Sequence, residues 1–144
     1  MGATHFSGPV VSTAGFQNGA GSVETLTAAS TLTAEDSGKT LLLNLTAGFA
    51  TTLPEPVAGM RFKFILAAAI TGDMTVVTNG GANIFQGGIV VNGASVVATD
   101  ADTITFANAA EVVGDYVEIE SDGTYWWLVG GYGKGAGGIT FTAT

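Results

Sequence analysis

The chain has 144 residues, of which 47% are hydrophobic and only 11% are charged, and 12 acidic against 4 basic side chains give a net charge of −8. This balance argues against binding to nucleic acid or to an anionic membrane, because both interactions depend on Lys and Arg. With no Cys and a single His, the chain lacks a disulfide framework, a thiol nucleophile and any metal site made of Cys or clustered His. We therefore expect no cofactor, and much of enzyme chemistry is excluded.

The composition favours strands over helices. Gly, Ala, Thr, Val and Ser dominate, with 22 Gly alone, whereas Lys and Glu, which are typical of exposed helices, are scarce. No apolar run reaches the roughly 18 residues of a membrane span. The first residues lack the basic start and apolar core of a secretion signal. The length fits one domain, with or without tails.

Residues 1–32 are predicted to form an extended arm, because glycines interrupt any regular period in this segment. Sparse apolar anchors on such a tether favour docking on a partner, and the alternative is a first edge strand of the chain's own fold. A bend is expected before the proline. The only His has no carboxylate at a fixed spacing, so we do not expect it to be catalytic. The partner-binding candidates of the arm are His5, Phe6, Pro9, Val10, Val11 and Phe16.

The body, residues 33–133, is predicted to be all-β. Turn-forming residues divide it into about eight or nine short strands, a pattern that is typical of sandwiches and barrels. We therefore expect a single β-sandwich, a jelly-roll-like fold or a small barrel, with one short helical segment at 108–113. The strand-like segments are 40–45, 49–53, 61–66, 74–78, 84–91, 95–99, 103–106, 116–120 and 124–129.

Two of these segments alternate regularly, which assigns their faces. In 61–66 the charged Arg61 and Lys63 share one face, and three apolar residues share the other. In 116–120 the same period turns Val117 inward and Glu118 outward. Each strand is therefore expected to cover the core with one face and to meet solvent or a partner with the other.

Turn signals at 79–81, 92–93 and 121–123 place Gly after Asn or Asp, and each predicts a hairpin. Beyond the body, residues 134–144 form a Gly-rich tail, and the glycine-rich segment 130–138 is expected to be mobile. The alternation at 139–142 predicts a terminal strand, which adds either to the chain's own sheet or to that of a neighbouring subunit.

Two pairs of carboxylates are candidate sites. Asp100 and Asp102 have a spacing that can supply two ligands to Ca²⁺, and the alternative, which we favour, is a solvated turn between strands. Glu118 and Glu120 share a strand face, as paired-carboxylate chemistry requires. Nothing in the sequence separates their two pKa values, so a solvated acidic face is the simpler interpretation.

Arg61 and Lys63 are half of all basic residues, and burying them unpaired is costly. The first interpretation is that they form salt bridges with Glu55 or with the face of Glu118 and Glu120, within one chain or across a subunit boundary. The second is that they are two ordinary solvent-facing charges.

Trp126 and Trp127 must face opposite sides of a strand, since they are adjacent in a segment with a period of two. One indole is expected in the core. For the other indole there are three alternatives: it contacts a neighbouring subunit or packs locally, it stacks on a sugar, or it simply lies at the surface.

Several motifs resemble a pattern found in small structural proteins of tailed bacteriophages. Residues 32–44 (LTAEDSGKTLLLN) lead into a strand, and 49–54 (FATTLP) and 59–65 (GMRFKFI) continue with a proline turn and a further strand. The closing segment 122–130 (DGTYWWLVG) also fits. The opening segment 4–10 (THFSGPV) is similar to the N-terminus of capsid decoration, or cement, proteins.

This resemblance implies a structural virion protein without enzymatic activity. Decoration proteins typically form trimers on the outer capsid surface, bind the lattice of the major capsid protein after expansion, and hold neighbouring capsomers together. The resemblance therefore implies a homotrimer whose partner is the major capsid protein, with no nucleic-acid or membrane partner. Because the central pattern also occurs in tail fibres and spikes, a fibre, spike or receptor-binding module is the alternative.

Overall fold

The computed structural model describes residues 23–144, and their fold is almost entirely β. Two mixed sheets pack together around one apolar core, which confirms the predicted all-β fold and shows it to be a sandwich. Within the described residues the strands are β1 (Val23–Leu26), β2 (Ser30–Thr31), β3 (Thr40–Leu43), β4 (Ala50–Thr52), β5 (Arg61–Leu66), β6 (Met74–Val77), β7 (Phe85–Val91), β8 (Ala94–Ala101), β9 (Thr103–Phe106), β10 (Tyr116–Ser121), β11 (Trp126–Gly133) and β12 (Ile139–Thr142). The seven-stranded sheet has the order β1-β3-β5-β10-β11-β7-β8, and the five-stranded sheet has the order β12-β9-β6-β4-β2.

The first six strands alternate between the two sheets. β1, β3 and β5 lie side by side in the seven-stranded sheet, whereas β2, β4 and β6 lie side by side in the other. Neighbours within each set are parallel, with Leu41 opposite Phe64 in one sheet and Thr51 opposite Val76 in the other. Parallel neighbours cannot be joined by a tight hairpin, so each connection crosses to the opposite sheet. The chain therefore winds as a two-layer coil, a feature that an antiparallel jelly roll lacks.

Successive turns of this coil touch through glycine backbones. A Cβ on Gly72, in the connection after β5, would lie 2.2 Å from the carbonyl oxygen of Ala47 in the connection after β3. A Cβ on Gly48 would lie 2.4 Å from the carbonyl oxygens of Gly72 and Asp73. The stacked turns leave no space for a side chain at either position. Packing alone therefore explains why both residues are glycine.

The last six strands contain the predicted hairpins. Asn92 and Gly93 have φ of 49° and 79° and join β7 to β8 as an antiparallel pair. The hairpin predicted at 121–123 is likewise present, between β10 and β11. The hairpin predicted at 79–81 is wrong, because this short 3₁₀ segment carries the chain from β6 in one sheet to β7 in the other.

Two further expectations are corrected by the structure. Residues 108–113 form turns instead of a helix, since Ala109 has φ 65° and the Asp115 carboxylate accepts the amide of Val112 at 3.0 Å. Residues 23–31, which the sequence pattern placed in the arm, hold β1 and β2, which pair with β3 and β4. The remaining arm residues, 1–22, lie outside the described part of the chain.

The Gly-rich segment after β11 packs tightly against the body. A Cβ on Gly135 would lie 1.7 Å from the carbonyl oxygen of Ala110, so only glycine fits where this segment crosses the turn at 108–110. The Asp115 carboxylate also accepts the amide of Lys134 at 2.9 Å. The predicted terminal strand is present as β12, which pairs with β9 of the same chain.

The core lies between the two sheets and confirms the face assignments for β5 and β10. Phe62 and Phe64 on β5 and Val117 and Ile119 on β10 are all buried. The ring of Trp126 is fully buried with its centroid 5.7 Å from that of Phe62. Burying each such side chain contributes roughly 1.5–3 kcal/mol. The opposite face of these strands is therefore the outer face of the sandwich, where the candidate site residues lie.

Candidate functional site

The outer face of the seven-stranded sheet carries three of the four described residues that the sequence singled out as partner-binding candidates. Arg61 and Lys63 lie on β5, and Trp127 lies two strands away on β11, whereas Trp126 points into the core. The other candidates, His5, Phe6, Pro9, Val10, Val11 and Phe16, lie outside the described residues.

One part of this face, the charged strip, consists of Arg61 and Lys63 on β5 and Glu118 and Glu120 on β10. The two strands are antiparallel neighbours, with Lys63 opposite Glu118 and Arg61 opposite Glu120. The Lys63 ammonium lies 2.6 Å from a Glu118 carboxylate oxygen and 4.7 Å from the ring centroid of Tyr116. The predicted salt bridge is thus confirmed for Lys63, and it is formed within one chain.

Arg61 behaves differently from Lys63. It is exposed, and no carboxylate of the described residues lies within 4.0 Å of its guanidinium. The Glu55 carboxylate, one of the partners considered for it, instead accepts the side-chain amide of Asn79 at 2.7 Å. Arg61 therefore fits the second interpretation, a solvent-facing charge.

A shallow depression of about 180 Å³ lies over the strip. It is lined by the backbone turn at 38–40, by the charged side chains of the strip and, on its far side, by Val129 of β11. Glu118 is already engaged with Lys63, so the depression does not present the pair of free carboxylates that the sequence suggested for Glu118 and Glu120. The depression instead forms a polar border beside an apolar region of the same face.

That apolar region, the apolar patch, comprises five exposed side chains on three neighbouring strands. Tyr132 on β11 lies opposite Val90 on β7, and Gly88 on β7 lies opposite Val97 on β8. Val129 sits at the β-bulge of β11, where Glu118 pairs with Gly130 and Ile119 with Leu128. The exposed fractions are 43% for Trp127, 57% for Val129, 45% for Tyr132, 45% for Val90 and 61% for Val97.

The exposed indole of Trp127 is held in a fixed position. Its Nε1–H donates to the Asp122 carboxylate at 2.8 Å, and the ring of Tyr125 meets it edge-on with centroids 5.8 Å apart. The other oxygen of Asp122 accepts the amides of Thr124 and Tyr125, each at 2.8 Å. The hydrogen bonds from the Tyr125 amide and the Trp127 indole lower the pKa of Asp122, so the carboxylate stays ionised and the turn stays formed.

Four residues of the apolar patch were not predicted as candidates from the sequence: Val90, Val97, Val129 and Tyr132. The signal for the valines was present in runs of consecutive apolar residues, such as Ile89-Val90-Val91, inside segments with a period of two. When the two flanking residues of such a run are buried, the middle one must face outward. The bulge at Val129, which puts Tyr132 on the same face, leaves no comparable mark in the sequence.

The candidate Ca²⁺ ligands Asp100 and Asp102 each accept hydrogen bonds from different partners within the chain. Asp100 accepts a hydrogen bond from the Gln86 side chain at the outer face. Asp102 is buried where the chain crosses from β8 to β9; one of its oxygens accepts from Thr103 at 2.6 Å and the other from the Thr144 amide at 3.0 Å. The Asp102 carboxylate therefore stabilises the crossing between the two strands, which agrees with the turn interpretation.

Across residues 23–144 no group of three or more His, Asp or Glu side chains is arranged to hold a metal ion. No helix in that range is both long and apolar enough to cross a membrane. No protein-family model matches this chain, and a search of curated proteins finds no similar sequence.

Proposed function

We propose that this chain is a structural protein of a phage virion, which binds the outer surface of the major capsid protein lattice as a homotrimer and stabilises the expanded head. The observation that carries the proposal is the apolar patch on an otherwise acidic sandwich. Contiguous exposed apolar surface of this kind marks interaction sites in soluble proteins. The resemblance of residues 4–10 to decoration proteins suggests the class of assembly. Residues 32–44, 49–54, 59–65 and 122–130 resemble small structural proteins of tailed phages more generally.

The charge of the chain suits the outer surface of a particle. Three copies of a chain with net charge −8 form a strongly acidic layer. Such a layer keeps particles dispersed and repels the phosphates of packaged DNA. A density map that places this subunit on the inner surface of the shell contradicts the proposal.

The direct test is binding to purified phage heads. We expect the full chain to add to expanded heads and not to unexpanded ones, and to raise the temperature at which expanded heads rupture. Binding of several capsomers by one trimer gains affinity through effective concentration, so binding is expected to fall steeply when the trimer is dissociated. A protein that ignores expanded heads overturns the proposal.

The arm is the expected contact with the capsid. Deleting residues 2–16 removes the arm candidates while leaving every described strand in place. We expect the truncated chain to fold and to self-associate but to bind heads much more weakly, as circular dichroism, sedimentation and head binding would report. If head binding is unchanged, the capsid contacts lie on the sandwich itself.

A fibre, spike or receptor-binding module is the second candidate function, and the exposed Trp127 ring with the half-buried Tyr125 ring beside it favours it. Aromatic rings fixed at a surface can stack on sugars. Copy number per particle separates the two functions. Hundreds of copies over the shell exclude the fibre, whereas a few copies at the tail, together with loss of glycan binding in Trp127→Ala, exclude decoration.

A further inference from the structure

We propose that the apolar patch is covered by a second copy of this chain. The proposal deepens the proposed function by naming the surface that joins the subunits, and it rests on that function for the number of copies. The occupant is inferred from three features: the distribution of charge around the patch, the apolar area and sheet edge that it contains, and the fixed position of Trp127.

The charge distribution favours a partner of the same sign. Two copies with a net charge of −8 repel each other, so they can meet only where few carboxylates approach. The outward positions of β11, β7 and β8 from Trp127 to Tyr132, from Gln86 to Val90 and from Ser95 to Thr99 carry no charged side chain. A basic partner would find better complementarity elsewhere on this acidic chain, whereas a second copy meets the least repulsion here.

The area and the sheet edge point to the same occupant. The five side chains lie on three neighbouring strands and keep between 43% and 61% of their surface exposed, and contiguous apolar area of this kind marks an interaction site. The patch extends to β8, which has eight residues and is the last strand of its sheet. Long edge strands are open to unwanted pairing unless they are covered. A second copy seated on the patch shields that edge as well.

Trp127 is the expected anchor of the contact. Tryptophan is enriched among the residues that dominate binding energy, and a side chain that is already fixed loses little entropy on association. Asp122 and Tyr125 fix the indole before any partner arrives. Asp122 is therefore a positioning residue for the contact, acting through Trp127.

The first test introduces a carboxylate into the patch of the full chain. Val97→Glu places a charge in the patch, and Val113→Glu is its matched control, because the two valines are 61% and 54% exposed and Val113 lies in the turn before β10, outside the patch. We expect sedimentation to show that Val97→Glu raises the dissociation constant of the oligomer at least about tenfold, while Val113→Glu leaves it unchanged. Equal behaviour of the two variants, or a wild-type chain that stays monomeric, overturns the proposal.

The second test does not depend on loss of binding. The chain has no Cys, so a single Val97→Cys or Val90→Cys variant can be cross-linked between copies by a short bismaleimide with no background. We expect linked dimers from both patch variants and none from Val113→Cys. Linkage from Val113→Cys alone overturns the proposal.

These outcomes are separate from those that test the virion function. A chain that self-associates through the patch yet ignores expanded heads overturns only the proposed function. A trimer that decorates expanded heads and whose patch variants still assemble overturns only this inference.

Discussion

The charged strip and the apolar patch lie on the same face of the same sheet, but their strands follow different sequence patterns. On β5 and β10 buried apolar residues alternate with outward residues that are mostly polar, and Lys63 and Glu118 neutralise each other across the strands. On β7, β8 and β11 apolar residues occupy both faces, as in Ile89-Val90-Val91, whose middle residue is 45% exposed.

This difference distinguishes outward residues that are ordinary for a folded sheet from outward residues that the stability of one chain does not require. The strip is the ordinary outer face of an antiparallel pair, because its charges remain hydrated and its apolar residues lie in the core. The outward valines and rings of the patch keep about half of their surface in contact with water, so they add little to the stability of one chain. The departure from alternation on this half of the sheet therefore agrees with the proposed contact to a second copy.

The two tryptophans of β11 give the largest test of this contrast. Trp126→Ala empties a core site and is expected to lower the free energy of unfolding by about 3–5 kcal/mol. Trp127→Ala, one residue away but on the patch, is expected to cost less than about 1 kcal/mol and to weaken self-association instead. Urea unfolding and sedimentation measure the two effects.

Trp126→Phe refines the same comparison. The indole N–H of Trp126 is buried and has no acceptor among residues 23–144. Replacing it with Phe removes an unsatisfied donor while keeping an aromatic ring, so we expect a much smaller loss than for alanine. Comparable losses from both tryptophan-to-alanine variants contradict the division between core and patch.

Two neighbouring glycines of β11 allow the same comparison between core and outer face, this time by adding a methyl group instead of removing a ring. A Cβ on Gly131 would lie 2.6 Å from Ile89 Cγ2 inside the sandwich, whereas a Cβ on Gly130 would lie 3.3 Å from the Glu118 carboxylate at the outer face. We expect Gly131→Ala to destabilise the fold by about 1–3 kcal/mol through overpacking. Gly130→Ala is the matched control and is expected to change unfolding much less, because the flexible Glu118 side chain can move away.

Local pattern predicted a large part of the fold. Alternation fixed the faces of β5 and β10, and the Asn92-Gly93 turn identified a hairpin, because both signals depend only on adjacent residues. The sheet to which each strand belongs was not predictable in this way. The coil of β1 to β6 depends on connections that cross between layers, and the turn at 79–81 looks the same in sequence whether it joins one sheet or two.

The candidate site was predicted in part for the same reason. Lys63 and Glu118 were matched through alternation, and the opposite faces of the two tryptophans followed from the strand period. The patch depends on β11 pairing with β7, two strands that are distant in sequence order, so the residues of β11 meet those of the β7–β8 hairpin only in the sheet. Asp122 was recognised as part of a turn, but its bond to the indole depends on side-chain geometry.

Acid is expected to loosen the corner that ends β8 at the border of the patch. Burial raises the pKa of Asp102, but the hydrogen bonds from Thr103 and Thr144 outweigh burial and hold the pKa below its usual value. Because the folded pKa is lower than the unfolded one, this carboxylate stabilises the fold above about pH 4, and the contribution is lost as the pH falls through the folded value.

Asp102→Asn tests this linkage. The variant is expected to be less stable than the wild type at neutral pH by about 1–3 kcal/mol, since it weakens the hydrogen bonds that the buried Asp102 side chain accepts from Thr103 and Thr144. The difference should shrink as the pH falls from about 4 through the lowered pKa of the folded state, because the wild-type carboxylate then becomes protonated as well. Urea unfolding over a pH series measures the convergence, with the exposed Asp100→Asn as control. A difference that stays constant to low pH contradicts the assignment.

The smallest expected effect lies in the charged strip. The side chains of Lys63 and Glu118 keep 36% and 39% of their exposure, so water screens their attraction. A double-mutant cycle of Lys63→Met and Glu118→Gln is expected to give a coupling of about 0.2–1 kcal/mol in the free energy of unfolding, and less in high salt. Neither variant should change self-association, because the pair is satisfied within one chain and lies outside the patch. A cycle that leaves unfolding unchanged but alters the dissociation constant of the oligomer would move the subunit contact onto the strip, and the contrast between the two halves would then be reversed.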